Sequence, residues 1–138
     1  MKIRYVEELP EASKWLELRK QAGLNAHERP LEVAQKGLDN SIYGVSVYDG
    51  TELIGMARIV GDGYTCFYLQ DVIVSPNYQG YGIGNQIMLK MLEYLDNVDD
   101  NAIIGLMSAK GKEGFYERFG FVQRPTNELG SGMIKIRL

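Results

Sequence analysis

The sequence predicts an α/β fold: a single domain over residues 1–138, with a mixed, strongly twisted central β-sheet flanked by helices. Three observations predict it. β-forming runs outnumber helical ones, and those before residue 75 follow one another as hairpins would. One strand then passes through a glycine-rich loop into a helical pattern and on to a further strand, as in a βαβ unit. The 138 residues, 45% hydrophobic and 24% charged, suffice to bury one core.

The elements follow in order. Residues 2–7 alternate as a first strand. Pro10 with Trp15, Leu16 and Leu18 predicts a helix over 10–22, stopped by Gly23. A polar loop, 25–29, leads to Pro30 and a short helix carrying Leu31, Ala34 and Leu38. Residues 42–48 and 53–60 read as strands joined by a turn at Asp49-Gly50. Gly61-Asp62-Gly63 is a hairpin signal, and 64–74 reads as one long strand. Apolar residues at 83, 87, 88, 91, 92 and 95 predict a helix over 82–95. Residues 102–107 read as a buried strand and 112–119 as a short helix ended by Gly120. Residues 121–123 and 133–137 are expected to close the sheet as an antiparallel pair.

Composition narrows the functional classes. A net charge of −3 without a Lys/Arg cluster argues against a nucleic-acid partner. No apolar run approaches the ~18 residues of a membrane span, and the N-terminus lacks the apolar core of a signal peptide. One cysteine, Cys66, makes no internal disulfide and reads as a packed or edge thiol, so a cytoplasmic location is expected. One His and one Cys do not make a zinc site of the usual kind, and no metal is expected. His27 reads as a surface-loop residue, without the nucleophile turn a hydrolytic triad needs. Oligomeric state stays open, a homodimer included.

The chemistry concentrates in residues 69–84, where an apolar strand runs through Ser75-Pro76-Asn77-Tyr78 into Gln79-Gly80-Tyr81-Gly82-Ile83-Gly84. First-turn N–H groups of a helix have no intrahelical acceptor, and the helix dipole adds partial positive charge there. Glycines at 82 and 84 remove Cβ atoms from that approach, so the expected ligand carries a phosphate or pyrophosphate. A P-loop would need Lys-Ser or Lys-Thr after the glycines, and a dinucleotide fingerprint needs a different glycine spacing.

Gln79-x-x-Gly82-x-Gly84 directly after a strand resembles the Q/R-x-x-G-x-G/A signature of the GNAT N-acetyltransferases, which cradles the pyrophosphate of acetyl-CoA. Lys112-Glu113-Gly114-Phe115-Tyr116-Glu117-Arg118-Phe119-Gly120-Phe121 is similar to the F-Y-E-x-x-G-F segment late in GNAT chains, and more loosely to that of glucosamine-phosphate N-acetyltransferases. The resemblance covers about residues 54–138. It implies acetyl-CoA as acyl donor, backbone donors for the thioester carbonyl on Val72, Ile73 and Val74, and a cofactor loop of Gln79, Gly80, Tyr81, Gly82, Ile83, Gly84 and Asn85. Tyr81 departs from the Lys or Arg frequent in that loop. Tyr116 matches the tyrosine that protonates the leaving thiolate; the plainer reading is a phenol packed beside the sulfur.

Asp71 is a carboxylate within an otherwise apolar strand, which costs free energy unless it is paired or used. Alternation turns it opposite to Val72, where it positions the amine or a water, or else pairs with Arg58 or a neighbouring loop. Glu28 and Tyr68 are weaker candidates for the base. Asn25, His27, Glu28, Arg29 and Met133 are acceptor-site candidates by position, and acidic and aromatic residues there would suit a cationic amine. The expected activity is acetyl transfer to the primary amine of a small molecule by direct attack on the thioester. The alternatives are a protein or peptide N-acetyltransferase and a non-catalytic acyl-CoA sensor.

Overall fold

The computed structural model describes residues 1–24 and 29–137, and resolves into two compact units, Met1–Ile104 and Gly105–Leu138. In the first unit β1 (Ile3–Val6), β2 (Tyr43–Asp49), β3 (Glu52–Gly61) and β4 (Cys66–Val74) pair antiparallel in that order. The helices α1 (Ala12–Gln21) and α2 (Leu31–Asp39) lie between β1 and β2 in sequence. A 3₁₀ turn, Pro76–Tyr78, leads into α3 (Ile83–Leu95), and β5 (Ile103–Leu106) stands beside β4 at the end of the sheet order. The crossover through α3 makes this five-stranded sheet mixed.

Each sheet face buries a different helical layer. Trp15 and Leu18 of α1 and Ala34 and Leu38 of α2 pack with Leu53, Met56 and Ile73. The other face meets α3, whose Ile83, Ile87, Met88, Met91 and Leu95 are all buried, as their 3.6-residue spacing predicts. Gly55 lets that helix come close: a Cβ there would stand 3.3 Å from Ile87 Cδ1 and 3.5 Å from Ile83 Cγ2. This close seat fixes the start of α3 against β3.

The 61–63 hairpin is wider than expected, and β4 begins at Cys66 rather than at Tyr64. Asp62 Oδ1 accepts the N–H groups of Tyr64, Thr65 and Cys66, and its Oδ2 accepts Thr65 Oγ1. These bonds commit residues 64–65 to the turn and hold the Asp62 carboxyl well below its ordinary 3.8, the Thr65 bond first. Cys66 is a free, exposed thiol at the strand's first residue.

Residues 102–107 were expected as a buried strand; β5 is shorter, and Ile103 is 70% exposed. As the last strand in the order, it keeps water on side chains that an inner strand would cover.

The second unit holds α4 (Glu113–Glu117) and the segment to 137. Phe119 and Gly120 N–H close the helix end on the Tyr116 and Glu117 carbonyls. Phe115, Tyr116, Phe119 and Phe121 form edge-on ring pairs and are half-buried, less enclosed than core residues. The expected final strand pair is corrected: residues 121–123 and 133–137 are not in strands, and Met133, Ile134 and Ile136 are exposed. Their alternation permits a strand, but a strand forms only with a ladder partner, and the bonds between these segments are those of a local turn, Thr126 N–H to the Leu129 carbonyl among them.

Candidate active site

The site begins with an irregularity in β4. Gln70 pairs with Arg58 and Ile73 with Met56, so Asp71 and Val72 together oppose the single residue Ala57. This is a β-bulge, and Asp71 takes a left-handed conformation there, φ 58°. Strict alternation, expected at this point, is interrupted. Phe67 and Leu69 are buried as partners of β3 residues on the α3 side, yet Ile73 joins the α1/α2 cluster. A bulge leaves its extra residue outside the ladder and bends the strand, which frees backbone groups near Val72 from regular pairing.

The Asp71 carboxylate anchors the bulge. Arg19 Nη1 donates to Oδ1 at 2.7 Å and Arg58 Nε to Oδ2 at 2.9 Å. The Asp71 side chain is 3% exposed. Arg58 is the partner foreseen from sequence; Arg19, 52 residues away along the chain, was not.

Past the bulge the strand ends in an ordered loop. Ser75 N–H donates to the Ile54 carbonyl at 2.7 Å, so strand alternation turns the Val74 N–H to the edge away from β3. Tyr78 pins the 3₁₀ turn by donating to Asp49 Oδ2 at 2.5 Å. That bond pushes the Tyr78 phenol up to about 12 and, with the Lys2 N–H, holds the Asp49 carboxyl below 3.8. Gln79 Nε2 reaches back to the Val74 carbonyl at 3.4 Å, closing the loop on the strand. Gly80 and Gly82 have φ of 88° and 76°, which side-chain-bearing residues rarely adopt. A Cβ would meet nothing within 4 Å at either position, so these two glycines serve the backbone path of the loop.

Gly82 is the N-cap of α3 and supplies no side-chain oxygen to the helix start. The first intrahelical bond runs from Gln86 N–H to the Gly82 carbonyl at 3.1 Å. The Ile83 and Gly84 amides therefore precede the helical ladder, at the positive end of a 13-residue helix. Gly82 and Tyr81 are exposed, so an anion reaches this end from water. Free amides at a helix N-terminus suit an anionic group such as a phosphate. Among the described residues, no group of three His, Cys, Asp or Glu could hold a metal ion.

Tyr116, in the second unit, is half-buried on α4, and burial raises its phenol above the ordinary 10.0. Tyr68 is half-buried on β4. Arg29 lies against Trp15, 5.3 Å from its ring centre, while Asn25, His27 and Glu28 lie outside the described residues. Sequence reasoning missed the bulge, Arg19 and the Tyr78–Asp49 bond. Of these only Tyr78 carried a signal, its place in the strand-Ser-Pro-x-Tyr lead-in.

Several known proteins resemble this chain. The model of the acetyltransferase (GNAT) domain matches residues 17–135. An uncharacterized N-acetyltransferase ycf52-like of Prochlorococcus marinus is 33% identical over 101 residues, 70% of this chain and 56% of that protein. The histone acetyltransferase TAP1 of Glycine max is 32% identical over 113 residues, 74% of this chain and 48% of its own length. The chain thus spans about half the length of these curated relatives. A crystal structure from meticillin-resistant Staphylococcus aureus, of a protein of unknown function described as a probable acetyltransferase, superposes with a TM-score of 0.87 at 32% identity, covering 99% of this chain and 100% of that one. The Arabidopsis thaliana glucosamine-6-phosphate N-acetyltransferase shares the fold, with a TM-score of 0.71 at 12% identity and 99% of each chain covered.

Proposed function

The chain belongs to the GNAT acetyltransferase family, and on that premise we propose that it moves the acetyl group of acetyl-CoA to the primary amine of a small molecule by direct attack on the thioester. The observation that carries this reading is the start of α3: a left-handed glycine N-cap, no capping side chain, and amides that precede the ladder at the end of the loop leaving a bulged strand. In this reading Gly80, Tyr81, Gly82, Ile83, Gly84 and Asn85 receive the pyrophosphate, with Gln79 holding the loop to the strand. Acetyl-CoA supplies the activated acyl group. Backbone N–H groups of Val72, Ile73 and Val74 align the thioester carbonyl and stabilise its developing negative charge.

Tyr116 is assigned as donor to the departing thiolate. A phenol raised above 10.0 is protonated at neutral pH and so holds the proton this step requires. Asp71 is assigned a positioning role. Both its oxygens are engaged by guanidiniums, so it holds the bulge and the adjacent amides in place, and the amine proton leaves through water.

A second reading, protein or peptide acetylation, is favoured by the 32% identity to a histone acetyltransferase. A non-catalytic acyl-CoA sensor is the third. CoA release measured over amino sugars, polyamines, arylalkylamines, aminoglycosides, amino acids and histone-tail peptides separates them. The proposal expects turnover with a small amine. Turnover with peptides alone supports the second reading, and CoA binding without turnover on any acceptor supports the third.

A further inference from the structure

Among the described residues, the α1/α2 face of the sheet gathers more guanidiniums than paired carboxylates. Trp15 is 1% exposed, and three guanidiniums lie against its ring: Arg58 at 5.1 Å, Arg29 at 5.3 Å and Arg19 at 5.9 Å from the centre. Among the described residues one carboxylate, Asp71, pairs with this group, through Arg19 and Arg58. Among the described residues, three positive charges against one paired carboxylate leave two in excess around a single buried ring.

The donors are also unevenly spent. Arg19 gives Nη2 to the Leu24 carbonyl at 2.9 Å, and Arg58 gives Nη1 to Ser41 Oγ at 3.1 Å. Arg29 makes no hydrogen bond or ion pair with any described residue, and its guanidinium lies over the Trp15 ring. The Trp15 Nε1–H is buried with no acceptor among the described residues, an arrangement that is costly inside a protein. Neighbouring cations repel more strongly near the protein interior than in water. One anion at Arg29 would answer both the excess charge and the unspent donors of this half-buried guanidinium, since a planar guanidinium matches a carboxylate or phosphate with two parallel bonds.

We propose that the acceptor amine carries an anionic group, carboxylate or phosphate, which docks on Arg29 beside the Trp15 ring, and that Arg29 determines acceptor specificity. The inference rests on the acetyl-transfer reading, because Asp71 ties this charge cluster to the bulge of the strand assigned to the thioester. It adds an anionic group to the cationic amine expected from sequence.

Trp15 is the sole tryptophan of the chain, so its fluorescence reports this cluster directly. With CoA present, the protein is titrated with matched pairs: amino acids against their amides, amino-sugar phosphates against the unphosphorylated sugars, and inorganic phosphate alone. The anionic members are expected to change Trp15 emission and to bind at least ~10-fold tighter than their neutral partners. Arg29→Gln should remove that advantage, raise KM for anionic acceptors, leave kcat within about twofold, and leave the CoA-induced rise in melting temperature intact. Equal or weaker binding of the anionic members overturns the proposal, as does unaltered discrimination in Arg29→Gln or the lack of any emission change at millimolar anion. Failure of CoA to raise the melting temperature would instead count against the acetyltransferase reading, while the fluorescence result still decides the anion site. Response to phosphate-bearing members alone, or to carboxylates alone, identifies which anion the site takes.

Discussion

Replacing Asp71 with Asn should be among the most damaging isosteric changes in the first unit. The carboxylate is 3% exposed, and its partners Arg19 and Arg58 are 16% and 12% exposed, so solvent screens little of the interaction. Asn keeps the shape and tolerates the left-handed φ of 58°, so the backbone at the bulge is not strained by the change. What is lost is charge. A hydrogen bond to a charged group is worth ~1.5–3 kcal/mol, and leaving a buried ion without its partner costs ~3–5 kcal/mol. The two figures describe overlapping losses, so the expected destabilisation is ~3–5 kcal/mol, or roughly 10–17 °C in Tm for a chain of this size. Asp71→Ala should cost about 1 kcal/mol more, because alanine pays for the left-handed region without a side-chain hydrogen bond. Urea unfolding of each variant at constant m value measures this. In an Arg58→Met background the cost of Asp71→Asn should fall by at least ~1 kcal/mol, the coupling of a direct pair. Destabilisation below ~1 kcal/mol with no coupling to Arg58 would refute the claim that this triad anchors the bulge.

Tyr116→Phe should lower kcat by ~10²-fold with CoA affinity little changed, as for a lost proton donor; steady-state kinetics with a CoA titration checks it, and an unchanged kcat reduces Tyr116 to packing. Asp62→Ala should destabilise the 61–66 hairpin in a pH-dependent way. The folded carboxyl lies below 3.8, so its stabilisation is present above about pH 4 and fades as pH falls toward the folded value. Urea midpoints should therefore separate wild type and variant at pH 7, with the gap narrowing progressively as pH falls below about 4; a constant gap contradicts this assignment.

How far the sequence could be read depended on whether a feature is local. The 3.6-residue spacing of Ile83, Ile87, Met88, Met91 and Leu95 marks one helix face, and all five are buried. The glycine loop was equally legible, since the positive φ of Gly80 and Gly82 is a demand that residue type can meet. The start of β4 was misplaced because the alternation of Tyr64 onward says nothing of Asp62, which captures three amides of the turn. The bulge was hidden for a different reason: Asp71 is not glycine, and its left-handed backbone is held by Arg19 from 52 residues away. Residues 133–137 show the converse error, a local pattern fit for a strand whose pairing depends on distant chain.

The account stands on the α3 N-terminus as a cofactor cradle, and a calorimetric titration of CoA in EDTA, with wild type and Gly82→Val side by side, tests that most directly. Valine at a φ of 76° forces the N-cap out of its left-handed turn and misaligns the amides that follow. The prediction is saturable one-to-one binding to wild type without metal, weakened at least ~10-fold in a variant that still unfolds cooperatively. No saturation of wild type at millimolar CoA, or equal affinity in the folded variant, would contradict it.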